Sequence, residues 1–207
     1  MRTRVKICGL TRQHDVAAAV HAGADAVGFV FYEKSPRHVV LEDAALLAQG
    51  LPAFVTPVAL FVNAAAAEVR QVIEAIPGVL LQFHGDEDAA YCESFRRPYM
   101  KALRIRAGVD IVTEATRYAS ACGVLLDAYV EGIPGGTGER FDWSLIPPQL
   151  PVPLILSGGL NAGNVADGIR NVKPWAVDVS SGVEAAKGIK DADKIAAFMQ
   201  EVKHANV

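Results

Sequence analysis

The chain has 207 residues, 51% of them hydrophobic and 21% charged. That balance excludes disorder and gives a core large enough to stand without disulfide staples. With 20 Lys and Arg against 23 Asp and Glu the formal net charge is −3, which excludes a generally basic binder of nucleic acid or anionic membrane but not a local anion site. The three cysteines, Cys8, Cys92 and Cys122, have neither ligand-like nor disulfide-like spacing, the usage expected of a reduced, cytoplasmic protein. The opening MRTRVKICGL runs into a strand-like segment without the apolar stretch of a signal peptide. No window offers the ~18 apolar residues of a membrane span.

Apolar, β-rich runs alternate along the chain with Ala-rich stretches of helical spacing. RVKIC (4–8) precedes a helix over 12–22, AVGFVF (26–31) one over 41–50, VALFV (58–62) one over 65–76, and VLLQFH (79–84) one over 87–96. MKALRI (100–105) precedes 110–121, VLLDAY (124–129) precedes 142–146, PLILS (153–157) precedes 161–171, and AVDVS (176–180) precedes 191–203. The strand starts recur roughly every 25 residues, the length of one strand, one helix and two short loops. Eight such units predict an α/β protein with residues 1–207 in one closed (β/α)8 barrel, rather than an open doubly wound sheet. The sixth connection is mostly loop, GIPGGTGERFDW. Asp110, Asn161 and Asp191 are placed to cap the fifth, seventh and eighth helices, and Gly23 to end the first. Cys92 and Cys122 fall within helix patterns and read as structural.

Catalytic groups in such barrels come from the C-terminal ends of the strands. Lys6 and Cys8 share one face of the first strand, the interior mouth of a barrel. A thiol acts as base or nucleophile only as thiolate, which a nearby ammonium favours; the plainer reading of Cys8 is a small buried hydrophobe. Asp127 closes the apolar sixth strand, where it serves either as a general acid or as a loop cap. Asp178 and Ser180 share a face of the eighth strand, and an interior Asp must be paired, which points to a site. His84 ends the fourth strand, usually the place of a simply hydrogen-bonded His, and nothing in the chain has metal-ligand spacing. Arg37, in KSPRHV, is either a fork for carboxylate or phosphate or a solvated loop residue. GGTG (135–138), SGG (157–159) and SSG (180–182) follow strands six, seven and eight. Small residues there let backbone N–H groups approach an anion, and loops after strands seven and eight commonly hold phosphate. Together they point to a phosphosugar. No GxGxxG follows the first strand, which argues against NAD.

With KICGLT (6–11), GFVFYEKSPRHV (28–39), FHGDE (83–87), GGTGERFDW (135–143), SGGLNAGNV (157–165), VDVSSGVE (177–184) and GIKD (188–191), the chain resembles the phosphoribosylanthranilate isomerase family of tryptophan biosynthesis. The motifs follow in order over almost the whole chain. Phe83 stands where Leu is expected, and Ala128 and Tyr129 follow Asp127 where small hydroxyl residues are frequent; neither departure removes a group the chemistry needs. The resemblance implies a barrel of the ribulose-phosphate-binding type and an Amadori rearrangement of N-(5-phosphoribosyl)anthranilate to the aminodeoxyribulose phosphate. It makes Cys8 the general base and Asp127 the general acid, and gives Arg37 the anthranilate carboxylate. Gly136, Gly158, Gly159, Ser180, Ser181 and Gly182 would hold the phosphate, with His84 and Asp178 as further substrate contacts. No cofactor or metal is implied, and the partner is a small phosphoribosyl substrate bound by a monomer or homodimer, with no nucleic acid and no membrane.

Two other readings compete. The related isomerase of histidine biosynthesis typically has aspartate where this chain has Cys8. A catalytically silent phosphosugar-binding module would not need a thiol and a carboxyl at opposed strand ends.

Overall fold

Runs of Val, Ile, Leu and Phe that are apolar on both faces bury both only when side chains fill one side and helices cover the other. The computed structural model, which describes residues 2–105, 108–128 and 142–205, has this arrangement. The strands are β1 (Arg4–Cys8), β2 (Ala26–Phe31), β3 (Thr56–Phe61), β4 (Leu80–Phe83), β5 (Tyr99–Ile105), β6 (Gly123–Ala128), β7 (Leu154–Leu156) and β8 (Ala176–Val179). They close in sequence order, with β8 paired in parallel to β1. The helices are α1 (Gln13–Ala22), α2 (Leu41–Gln49), α3 (Ala66–Ala75), α4 (Ala89–Glu93), α5 (Ile111–Thr116), α6 (Val165–Val172) and α7 (Ala192–Ala205). Among the described residues no helix is long and apolar enough to cross a membrane.

The two faces of each strand do different work. Alternate residues turn outward into the main core under the helices, including Ile7, Phe29, Phe61, Leu81, Phe83, Leu126 and Val177. Phe83 lies in this outer layer, its ring 6.1 Å from Phe61 and 5.7 Å from Phe95, so the replacement of an expected Leu is a packing change on the face turned away from the barrel interior. Inside the barrel, Val58, Met100, Ala102, Leu125 and Ile155 form one apolar plug. Above it Cys8, Val30 and Leu60 pack with Tyr32 and Val62. The plug closes the barrel from below and leaves its polar side chains at the C-terminal rim.

Local signals behave as the chemistry of helix ends requires, with three corrections. Asp110 accepts from the amides of Val112 and Thr113, Asp191 from those of Asp193 and Lys194, and Gly23 ends α1 at φ 96°. Asn161 does not cap α6. Its side chain accepts from Gly163 N–H, closing a turn of its own, and the helix starts one turn later, with Asn164 in the N-cap position. Helix α5 stops at Thr116, because Tyr118 and Ala121 donate to carbonyls three residues back and wind a tighter turn; Cys122 therefore lies just before β6, outside any helix. The helix expected over 142–146 is a single 3₁₀ turn, Trp143–Leu145.

The chain also builds a feature that the alternation did not signal. After β8 a 3₁₀ turn (Ser181–Val183) leads into an antiparallel pair, β9 (Glu184–Ala186) and β10 (Ile189–Lys190). Thr11 donates to the carbonyl of Gly188 at 2.7 Å, and Asp15 accepts from Lys190 N–H at 3.1 Å. These bonds pin the hairpin beside β1, so that Glu184 and Lys190 lie buried at the mouth.

Candidate active site

A cavity at the C-terminal rim gathers residues from seven of the eight strands and the loops that follow them. Cys8, Arg37, His84, Asp127, Ser157, Gly158, Gly159, Asp178, Ser180 and Ser181 all line it, with Tyr32, Ser35 and an apolar wall of Val30, Leu60 and Val62. Cys8 and Asp127 therefore face one space from strands β1 and β6 of the closed barrel. The apolar wall suits an aromatic ring and the small-residue loops of β7 and β8 suit an anion.

Inside the rim, charges are paired. Lys6 Nζ donates to Asp178 Oδ1 at 2.8 Å, with only 5% and 7% of the two side chains exposed. Burial opposes the charge of Lys6, but Asp178 and Cys8 outweigh it and raise the ammonium above its ordinary value. The sequence made Lys6 an aid to thiolate formation at Cys8. The structure corrects the balance: burial pushes the Cys8 thiol up, Lys6 pulls it down, Asp178 pushes it up again, and the net direction is upward. Resting Cys8 is a neutral thiol and, once ionised, a strong base.

Arg37 is held differently from its solvated alternative. Its Nε and Nη2 donate to Glu184 Oε1 and Oε2 at 2.7 and 2.9 Å, so a protein carboxylate occupies the fork that the sequence offered to a ligand. Lys190 Nζ donates to the same Glu184 Oε1 at 2.8 Å and to the carbonyl and hydroxyl of Ser180 at 3.0 and 3.2 Å. Burial works against the Glu184 carboxylate, but Arg37 and Lys190 hold it below its ordinary value. One buried carboxylate thus ties Arg37 to the loop after β8.

His84 and Asp127 meet across β4 and β6. His84 Nε2 is 3.3 Å from Asp127 Oδ2, within ion-pair reach but not aligned as a hydrogen bond. Gln82, two residues earlier on the same inward face, lies 3.1 Å from His84 Nδ1.

The loops after β7 and β8 are shaped by glycine. Gly158 and Gly159 adopt φ of 83° and 64°, left-handed conformations that disfavour a side chain, and Asn164 Nδ2 holds the Gly159 carbonyl at 2.9 Å. A Cβ at Gly182 would stand 1.9 Å from the carbonyl oxygen of Leu160, so only glycine lets the two loops touch. Gly182 stands where these two loops meet. Gly136, with the whole of GGTG (135–138), lies outside the described residues.

Comparison with known proteins decides the family. The family model for N-(5'-phosphoribosyl)anthranilate isomerase matches residues 5–201. A relative of that name from Thiobacillus denitrificans is 62% identical over 203 residues, covering 98% of this chain and 99% of its own. The chain belongs to the phosphoribosylanthranilate isomerase family. The crystal structure of phosphoribosylanthranilate isomerase from Thermotoga maritima superposes with a TM-score of 0.89 at 41% identity, over 98% of this chain and 99% of that one. Another structure of the enzyme, in complex with reduced 1-(o-carboxyphenylamino)-1-deoxyribulose 5-phosphate, gives 0.86 at 40% identity, with the same coverage. The chain is accordingly an isomerase of tryptophan biosynthesis on a (β/α)8 barrel.

Within this family frame, the residues that sequence reasoning missed are those acting on other side chains. Gln82 carried a legible signal, since it stands two residues before His84 on the same strand face, as Lys6 does before Cys8. Glu184 and Lys190 carried none, because the hairpin that presents them follows no strand or helix period.

Proposed function

We propose that this chain converts N-(5'-phosphoribosyl)anthranilate to 1-(2-carboxyphenylamino)-1-deoxyribulose 5-phosphate, with Asp127 as general acid and Cys8 as general base. The observation that carries the reading is that these two groups line one cavity from strands β1 and β6. Asp127 delivers a proton to the furanose oxygen as the C1'–O bond breaks, and the anthranilate nitrogen closes a protonated Schiff base. That cation acidifies the C2' hydrogen. Cys8, having lost its thiol proton to solvent, removes it as thiolate; the C–H electrons form a C1'=C2' double bond while the C=N π electrons settle on nitrogen, giving an enolamine. Loss of the 2'-hydroxyl proton and protonation at C1' then yield the ketone. A sulfur whose pKa is raised is the stronger base toward carbon, and the cationic intermediate favours its ionised form beside the substrate.

Substrate contacts follow from the chemistry of the two ends. Arg37 directs the amino group not bonded to Glu184 at the anthranilate carboxylate, a charge-assisted contact. The N–H groups of Gly158 and Gly159, together with the first N–H groups of the turn at Ser181, whose intrahelical partners are lacking by geometry, receive the phosphate. Gly182, which also holds the two loops together, and Gly136 keep the phosphate roles that the family motifs give them. Asp178 keeps Lys6 in place under Cys8. Three free thiols fit a cytoplasmic enzyme.

The test is loss of anthranilate fluorescence with freshly prepared N-(5'-phosphoribosyl)anthranilate, run beside the aminoimidazole-carboxamide ribonucleotide of histidine biosynthesis. The first substrate should turn over far faster. Turnover of neither, or preference for the second, would overturn the reading.

A further inference from the structure

The inner wall holds an uncharged polar side chain, Gln82, that the proposed chemistry leaves unused. Gln82 is fully buried in β4, paired between the apolar Leu60 of β3 and Met100 of β5. Its Nε2 lies 3.1 Å from His84 Nδ1, whereas its buried Oε1 has no hydrogen-bond partner among the described residues. A bare amide oxygen is destabilising, so the position tolerates that penalty while keeping the contact to His84.

We propose that Gln82 is a positioning residue that fixes the tautomer of His84. An amide NH2 group only donates, so the ring nitrogen it meets must offer a lone pair. In a neutral imidazole the proton then sits on Nε2, the nitrogen 3.3 Å from Asp127 Oδ2. The opposite tautomer would turn a lone pair toward that oxygen. Arg104 Nη2 donates to the His84 carbonyl at 3.3 Å, which anchors the residue from behind. In the free protein this 3.3 Å approach is not aligned as a hydrogen bond; catalytic contacts often align only once substrate tightens them. When Asp127 gives its proton to the furanose oxygen, the new carboxylate forms next to a donor already in place. That interaction is stronger after transfer than before it, and so lowers the barrier rather than tightening substrate binding.

The inference rests on the role given to Asp127, and the experiment separates the two. Long-range proton–nitrogen NMR of the imidazole rings in the full-length protein, with His84 assigned through His84→Asn, should show His84 protonated on Nε2. Protonation on Nδ1 would overturn the proposal without any variant at position 82. Gln82→Glu, which can accept from the ring, should move the proton to Nδ1. Gln82→Leu should lower kcat about tenfold, the worth of one hydrogen bond, with KM within twofold. Wild-type kcat in Gln82→Leu, while Asp127→Asn is impaired, sinks the role of Gln82 alone. Wild-type turnover in Asp127→Asn sinks the reading beneath it.

Discussion

Replacing Lys6 by Met tests how the rim holds its charges. Lys6 and Asp178 are 2.8 Å apart and almost wholly buried, so the variant leaves Asp178 without its ion-pair partner. Removing one partner of a buried pair typically costs about 3–5 kcal/mol. At roughly 2–4 °C per kcal/mol for a chain of this size, the melting temperature should fall by roughly 6–20 °C. Lys6→Met combined with Asp178→Leu removes both charges and should recover most of that loss. The same substitution removes the chief influence that pulls the Cys8 thiol down, so alkylation of Cys8 by iodoacetamide at pH 8.5, read by mass spectrometry, should slow. A stability loss below about 1 kcal/mol, a double variant no more stable than the single one, or a faster-reacting sulfur would refute the reasoning.

Three further outcomes follow. Glu184→Gln leaves Arg37 and Lys190 without their shared carboxylate; denaturant titration should show a loss of about 3 kcal/mol, and KM should rise. Because Glu184 sits below its ordinary value, that contribution is present above pH 4.5 and fades as the pH falls, so the variant should also have a shallower acid limb of stability. Gly182→Ala must push apart loops that a Cβ would bring to 1.9 Å; KM should rise about tenfold or more with the circular dichroism of the barrel retained. Burial raises Cys92 from 9.0 to about 12 and Tyr118 from 10.0 to about 12. The folded chain then keeps protons that the unfolded chain has lost, so urea midpoints should hold below pH 9 and fall as the pH rises from 9 toward 12. A midpoint that is flat or rising over that range would contradict it.

The barrel was legible because its signal repeats. Eight apolar runs with helical spacers fix strand number and direction, and β1, β2 and the cap at Asp110 fall where local chemistry put them. Boundaries slipped where two local solutions compete, as at Asn161, whose side chain closes a turn instead of capping α6. Of the site, the sequence offered the residues at strand ends, since strand closure alone brings Cys8, His84, Asp127 and Asp178 to one mouth. It did not offer their partners. That Glu184 fills the fork of Arg37 depends on a contact across 147 positions of chain, and the upward shift of Cys8 depends on how deeply the closed barrel buries it. Periodicity carries neither kind of information.

The central claim is that one thiol and one carboxyl move the protons. Turnover of N-(5'-phosphoribosyl)anthranilate by Cys8→Ala and by Asp127→Asn tests it most directly, with binding of the reduced product analogue as the check on folding. Each variant should bind the analogue and lose at least ~10² in kcat, the usual contribution of a general acid or base. Wild-type turnover by either variant would contradict the account.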